Sequence, residues 1–169
     1  MISDSPDLPH LHREEFSNPL RVSLLRLKVL GLAGIVFFGG CSVGAYLGRQ
    51  YWPILGFMTF VLMSLLVLVS SGELLFDEDV VTHKAIAGTF RIRWEEVKTV
   101  EYSTFGTFVL HAEDKRFVIP STGFWSGQDK EMAFNLFLRK LQKSGITPKL
   151  SSSAEYKIHK NVRIHGKTG

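Results

Sequence analysis

The chain has 169 residues, of which 45% are hydrophobic, and its 20 basic and 16 acidic side chains give a formal net charge of +4. Beside the apolar segments described below, this length is enough for one small soluble domain but too short for two. The single cysteine, Cys41, excludes an intrachain disulfide and therefore a secreted fold stabilised by disulfides.

The N-terminal segment, residues 1–18, is predicted to be flexible. His10 and His12 lie in it, but nothing nearby would fix their geometry, so we predict no metal site there. Asn18 and Pro19 resemble an N-cap followed by a proline in the first turn. This pair predicts that the first helix begins there and continues to about Gly48.

Two apolar runs dominate the sequence. Val29–Leu47 has 19 residues without a charge, and Pro53–Ser70 has 18 more. As helices these runs reach about 27–28 Å, close to the thickness of the hydrocarbon core of a bilayer, which is about 30 Å. The five-residue link between them allows only an antiparallel pair. Residues 19–71 therefore predict a transmembrane hairpin rather than a cleaved signal peptide, whose apolar region would be shorter.

The charges beside the two runs predict the orientation of the hairpin. The link between the runs contains one cation, Arg49, whereas several cations lie on the other side. Because cytoplasmic loops carry an excess of Lys and Arg, both termini are expected in the cytoplasm. The flanking cations are Arg13, Arg21, Arg26 and Lys28 before the hairpin and Lys84, Arg91, Arg93 and Lys98 after it.

Three glycines, Gly40, Gly44 and Gly48, recur every four residues and so lie along one face of the first helix. Such a face lets helix backbones approach closely in lipid. We interpret it as the packing face against the second helix, with a seam between two copies of the chain as the alternative. Ser42 completes a G-x-S-x-G pattern, but an unbroken apolar helix lacks the strand and sharp turn that a serine hydrolase needs.

Residues 72–146 change to an apolar period of two, which predicts short antiparallel strands followed by one helix. Ser126 and Asp129 resemble a capping box at the start of that helix, and Gly145 is expected to end it. Trp94 in the sheet and Phe137 on the helix are predicted to be buried. The expected strands are Glu73–Phe76, Val80–Ile86, Phe90–Trp94, Val97–Tyr102, Phe108–Leu110 and Arg116–Ile119, and the expected helix covers residues 131–143.

Four cations form the one candidate contact surface of this domain, for anionic lipid or for a protein partner. They are Lys84, Arg91, Arg93 and Lys98. We favour the interpretation that these cations form an ordinary solvated face. No other residues assemble into a catalytic, metal or cofactor site, and His83 and His111 are interpreted as surface positions, so we expect no enzyme activity.

The C-terminal segment, residues 147–169, is predicted to be a basic flexible tail. Within its last thirteen residues Lys157, Lys160, Arg163 and Lys167 face no acid. Four cations with one nearby tyrosine are a weak footprint for nucleic acid, so no nucleic-acid partner is expected.

The order of these features resembles the bacterial pleckstrin-homology-like membrane proteins. The resemblance depends on the hairpin, on the acidic turn Asp77–Asp79 between two strands, and on the final helix around residues 131–143. It also depends on Trp94–Val97, where an aromatic residue is followed by two acids and an aliphatic residue. It implies an α+β membrane protein with a small antiparallel barrel or sheet capped by a C-terminal helix. Six strands are counted where that fold usually has seven, and Ser121–Phe124 is the candidate for the seventh.

What this resemblance implies for function is a non-enzymatic interaction module at the cytoplasmic face of a bacterial inner membrane. Such a module would act as a scaffold, an assembly factor or an accessory subunit, with the bilayer and a protein partner or a second copy as its contacts. The alternative is a domain that senses anionic lipid through its basic strand face. The acidic turn Asp77–Asp79 disfavours that alternative, because the lipid-binding relatives usually carry cations there.

Overall fold

The computed structural model describes residues 18–164, so the predictions for His10, His12, Arg13 and Lys167 lie outside it. The fold is α+β, with two long helices, two sheets and one further helix. The helices are α1 (Leu25–Leu47), α2 (Tyr51–Ser70) and α3 (Lys130–Lys143). The strands are β1 (Leu20–Ser23), β2 (Gly72–Phe76), β3 (Val80–Ala85), β4 (Gly88–Arg93), β5 (Thr99–Tyr102), β6 (Phe108–His111), β7 (Arg116–Ile119), β8 (Lys149–Leu150) and β9 (Arg163–Ile164).

Helices α1 and α2 form the predicted antiparallel pair, and each is long and apolar enough to cross a membrane. The predicted start at Asn18–Pro19 is wrong, because α1 begins at Leu25. Residues Leu20–Ser23 are extended instead and pair with β2. Leu20 and Val22 alternate with Arg21 and Ser23, and only an extended segment lets both apolar side chains enter the core.

The hairpin is inserted between two paired strands and has no flexible link to them. A single residue, Leu24, separates β1 from α1, and a single residue, Ser71, separates α2 from β2. Both are buried, with exposures of 0% and 1%. The N–H of Leu24 donates to the carbonyl of Gly72 at 2.9 Å. A Cβ atom on Gly72 would lie 1.9 Å from the carbonyl oxygen of Lys84, so only glycine fits at this junction.

The first sheet has the strand order β1-β2-β3-β4-β9, and the second has the order β7-β6-β5-β8. Every pairing is antiparallel except that of β5 with β8. The two sheets stay separate and do not close into a barrel. Seven strands, β1–β7, have four residues or more, whereas β8 and β9 have two each. Six of the seven follow the hairpin, and the strand missing from the sequence-based count is β1, which precedes it. The candidate at Ser121–Phe124 is wrong, because Thr122–Phe124 forms a 3-10 turn.

The core lies between the sheets and α3. Trp94 and Phe137 are buried as predicted, with ring centroids 6.0 Å apart. Gly145 ends α3 in a left-handed conformation with φ of 65°, also as predicted. The capping box is wrong: Asp129 accepts from the backbone N–H of Arg21, and the Ser126 hydroxyl donates to the carbonyl of Ser23. These two side chains therefore connect the start of α3 to β1.

The segment predicted as a flexible tail packs onto the domain over residues 147–164. Strand β8 pairs with β5, and β9 pairs with β4. Ala154 and Val162 are buried, with exposures of 0% and 4%. Because exposed cations such as Lys160 and Arg163 flank these inward positions, the basic composition of the segment does not reveal its packing.

Candidate functional site

The two helices of the hairpin meet at glycines other than those predicted. A Cβ atom on Gly31 would lie 3.0 Å from the backbone of Ser64 and Leu68, and one on Gly34 would lie 2.3 Å from the Ser64 hydroxyl. Around Gly40 and Gly44, in contrast, a Cβ atom would meet nothing within 4 Å. Around Gly48 it would meet only carbonyls of its own helix, those of Gly44 and Ala45. Packing of this face against α2 is therefore wrong, and the seam between two copies stays an untested alternative.

The outer surface of the hairpin is apolar and uncovered. Only Gly31 and Ser42 are buried in α1, and no residue of α2 is buried. The Ser42 hydroxyl donates to the carbonyl of Phe38, one turn earlier, so it is a satisfied helix residue. More than half of the surface is exposed for Val29, Leu30, Leu32, Val36, Phe37, Val43, Leu55, Met58, Phe60, Leu62, Met63 and Leu66.

The four cations of the candidate contact surface do not form one cluster. Lys84, Arg91 and Arg93 share the outer face of the first sheet, as the pairings of Thr82 with Arg91 and of Lys84 with Thr89 require. Lys98 lies instead beside the second sheet, where its N–H donates to the carbonyl of His111. The structure thus brings together three of these residues and separates the fourth.

Acidic residues accompany most of these cations. Arg93 forms an ion pair with Glu95 at 3.0 Å, and Lys98 forms one with Glu113 at 3.3 Å. Glu73 is the direct cross-strand neighbour of Lys84. Exposed pairs of this kind contribute little to stability, but they reduce the local positive potential.

The acidic turn Asp77–Asp79 lies at the end of the first sheet that is opposite to the hairpin. We call this the distal end. There Glu78 accepts from Lys140 and pairs with Arg139 of α3 at 3.4 Å. The hydrogen bond from Lys140 lowers the pKa of the Glu78 carboxyl below its usual value.

A cleft of about 660 Å³ opens beside this turn, which we call the distal cleft. One wall is Trp94, whose indole N–H donates to the carbonyl of Asp77 at 3.0 Å. Side chains of both signs surround it, namely Glu78, Asp79, Arg93, Glu95, Lys140 and Lys143. Because Trp94 is only 7% exposed, the surface of the cleft is mainly charged, and charges of both signs suit a polar peptide better than a single anion.

Two histidines form a buried pair that connects the C-terminal segment to the first sheet. The backbone N–H of Val118 donates to His159 Nδ1 at 3.1 Å, so the proton of His159 is on Nε2. That Nε2 is 3.0 Å from His83 Nδ1, which must accept. His83 therefore carries its proton on Nε2, which is buried and without a partner among the described residues.

Burial lowers the pKa of His83 to about 4, and burial together with His83 lowers that of His159 to about 3. Both rings are therefore neutral near pH 7. The interpretation of His83 as a surface position is wrong, since it is 4% exposed. His83 lies two residues after Val81 on β3, and this spacing indicated that both side chains point inward. Nothing in the sequence indicated that His159 would be its partner.

Potential metal ligands and adjacent carboxylates do not come together among the described residues. Within residues 18–164, no group of three or more His, Cys, Asp or Glu side chains could hold a metal ion. Glu95 and Glu96 lie on the 3-10 turn Trp94–Glu96 and pair with different cations, Arg93 and Lys115. The two carboxylates therefore act separately.

Comparison of the chain with protein-family models, with curated proteins and with solved structures finds no match.

Proposed function

We propose that the chain is an integral membrane protein whose hairpin spans the bilayer twice. The uncovered apolar surface of α1 and α2 supports this most strongly, because a soluble protein rarely exposes so large an apolar surface. At about 1.5 Å per residue, these helices match a hydrocarbon core of about 30 Å. Tyr46, Tyr51 and Trp52, all more than 60% exposed near the link, suit the opposite interface.

The domain would then lie on the cytoplasmic side, at the inner membrane of a bacterium. The excess of Lys and Arg on the domain side of the hairpin supports this orientation, because the link contains Arg49 alone. A reporter fused after Gly169 tests it, and we expect activity only from a reporter that works in the cytoplasm. Release of the protein from membranes by alkaline carbonate, or activity of a reporter that needs the outside, would contradict the proposal.

We also propose that the domain is pleckstrin-homology-like and acts as a non-enzymatic interaction module: a scaffold, an assembly factor or an accessory subunit. The seven strands of four or more residues, β1–β7, and a capping helix support this, because that fold usually has seven strands. The distal cleft supports a protein partner, because it faces away from the hairpin and presents charges of both signs.

Sensing of anionic lipid through the basic strand face has less support. Strands rise about 3.3 Å per residue, so Arg93 lies about 16 Å along β4 from Gly88 at the hairpin end. This is about twice the distance of about 8 Å over which salt screens charges at physiological ionic strength. Arg93 also has Glu95 as a partner.

Site-specific photo-cross-linking tests the partner proposal. A cross-linker replaces Glu95, which borders the distal cleft, in the full chain in its native membrane. The matched control replaces Glu113, another exposed acid at the same end, which is not in the cleft. We expect a discrete adduct from position 95 and none from position 113. The same adducts from both positions, or none from position 95, would contradict a partner at this cleft.

A further inference from the structure

Three loops of the domain lie at the end from which the hairpin emerges, and each exposes a large apolar side chain. In the turn between β3 and β4, Ile86 is 73% exposed. In the turn between β5 and β6, Phe105 is 74% exposed, and in the 3-10 turn Thr122–Phe124, Phe124 is 37% exposed. We call these three side chains the apolar tips.

Contacts to backbone carbonyls fix two of the three loops beside the hairpin. Next to Ile86, the N–H of Ala87 donates to the carbonyl of Val69 in the last turn of α2, at 3.2 Å. At the other helix, Arg26 in the first turn of α1 donates to the carbonyl of Gly123 at 2.9 Å.

The loop with Phe105 joins the same end through Gly106. A Cβ atom on that residue would lie 3.2 Å from the Ser121 hydroxyl, at the start of the loop that carries Phe124. The three loops therefore lie at the end of the domain from which α1 and α2 leave.

Charge at this end complements an anionic surface. Four cations lie near the loops, on α1, β3 and β9; Glu73 of β2 faces Lys84, and Asp129 at the start of α3 lies beside β1. Acids gather at the distal end instead, in the turns Asp77–Asp79, Glu95–Glu96 and Glu113–Asp114. The cations are Arg26, Lys28, Lys84 and Arg163, whose guanidinium lies against Gly88.

We propose that the apolar tips and these four cations form a second membrane contact, which seats the domain in the headgroup region of a bilayer that contains anionic lipid. The inference rests on the proposed membrane insertion of the hairpin. Apolar side chains at the boundary between headgroups and acyl chains, with cations beside them, are the usual means by which peripheral segments bind such a surface. The domain would therefore contact the membrane surface directly, in addition to its attachment through the hairpin.

Single-cysteine labelling of the full chain tests this contact. In a Cys41→Ser background, a cysteine at position 86, 105 or 124 carries an environment-sensitive fluorophore, in nanodiscs that contain phosphatidylglycerol. The matched control is position 158, because Ile158 is also 73% exposed but belongs to the C-terminal segment, where its carbonyl accepts from Arg116 at the distal end. A cysteine at position 62, in the middle of α2, reports on insertion.

We expect the labels at the tips to be quenched by brominated lipid and to be several-fold less sensitive to aqueous iodide than the label at position 158. If the tips are as sensitive to iodide as position 158 while position 62 is quenched by lipid, the second contact is wrong and the insertion stands. If position 62 is also open to iodide, both the insertion and the contact fail.

Discussion

The hairpin and the domain contain the same kinds of large apolar residue but expose them very differently. In the domain, Phe117 and Phe137 are 0% and 1% exposed, whereas in the hairpin Phe37 and Leu62 are 65% and 57% exposed. The domain buries its apolar surface within itself, and so its fold is stabilised by the hydrophobic effect in water. The hairpin has no such interior, and its helices approach closely where Gly31 and Gly34 meet Ser64.

The largest effect is expected in the domain core. Phe137→Ala should lower the free energy of unfolding by about 3–5 kcal/mol, because it leaves a cavity beside Trp94 and Phe108. Urea unfolding of the full chain in detergent, followed by tryptophan fluorescence, measures it. Leu138→Ala is the matched control, since Leu138 is the next residue of α3 and is 43% exposed. Equal stabilities of the two variants would contradict the described core.

In the hairpin, the expected effect is smaller and depends on which glycine is changed. Gly31→Leu should destabilise the pair by about 1–3 kcal/mol, because the new side chain meets the backbone of Ser64 and Leu68. Gly44→Leu is the control and should leave the thermal stability of the monomer unchanged. If Gly44→Leu instead dissociates an oligomer seen by light scattering, the exposed glycines form a seam between two copies.

The histidine pair should make the domain sensitive to mild acid. His83 and His159 are neutral when folded, but they titrate near pH 6.5 when the chain is unfolded. The unfolded state therefore binds more protons, so stability is complete above about pH 6.5 and falls as the pH drops toward about 4. From pH 7 to about 5.5, His83 alone should lower the free energy of unfolding by about 1 kcal/mol.

The slope of stability against pH provides the control for this prediction. A variant with both His83→Leu and His159→Phe should show a smaller slope, whatever its absolute stability. Some slope should remain from His111, whose pKa is lowered by burial. The slopes are compared between pH 7 and about 5.5, because lysine partners lower the pKa of Glu78, Glu96 and Glu101 below 4.5 and their stabilisation is lost only at lower pH. An unchanged slope in the double variant would contradict the buried pair.

The smallest effect is expected for the outer face of the first sheet. The measured quantity is the increase in the free energy of unfolding of the full chain that anionic nanodiscs cause. Replacing both Arg91 and Arg93 with Ser should change this increase by less than about 0.5 kcal/mol. The matched double variant is Lys84→Ser with Arg163→Ser near the hairpin, where each lost cation should cost up to about 1 kcal/mol. A large, salt-sensitive loss from the Arg91 and Arg93 variant would favour lipid sensing by this face.

The parts of the fold that could be predicted from the sequence have long or repeated patterns. The apolar runs indicated α1 and α2 by their length, and the alternation around Ile92 indicated β4. Strand β1 could not be found in this way, because it has four residues and is separated from its partner β2 by the whole hairpin. Its alternation of Leu20 and Val22 with polar residues is too short to distinguish from a helix start.

Most of the candidate site depends on contacts between distant segments, which composition does not reveal. Lys98 seemed to belong with Arg91, but the change of sheet between β4 and β5 separates them. His159 lies in a basic segment with few apolar residues, yet it packs against Phe90, with ring centroids 4.2 Å apart. The apolar tips are single residues in turns, so only the folded arrangement shows that they share one end.

The insertion of the hairpin between β1 and β2 makes a water-soluble form of the domain accessible by simple deletion. Ser23 and Glu73 are cross-strand neighbours, and the N–H of Leu24 already donates to the carbonyl of Gly72. Residues 25–70 therefore begin and end at adjacent points, and a tight turn of about two residues such as Asn-Gly joins antiparallel strands of this kind. A truncation that starts at residue 72 would instead remove β1 and uncover the edge of β2, so the shortened chain must keep residues 20–24.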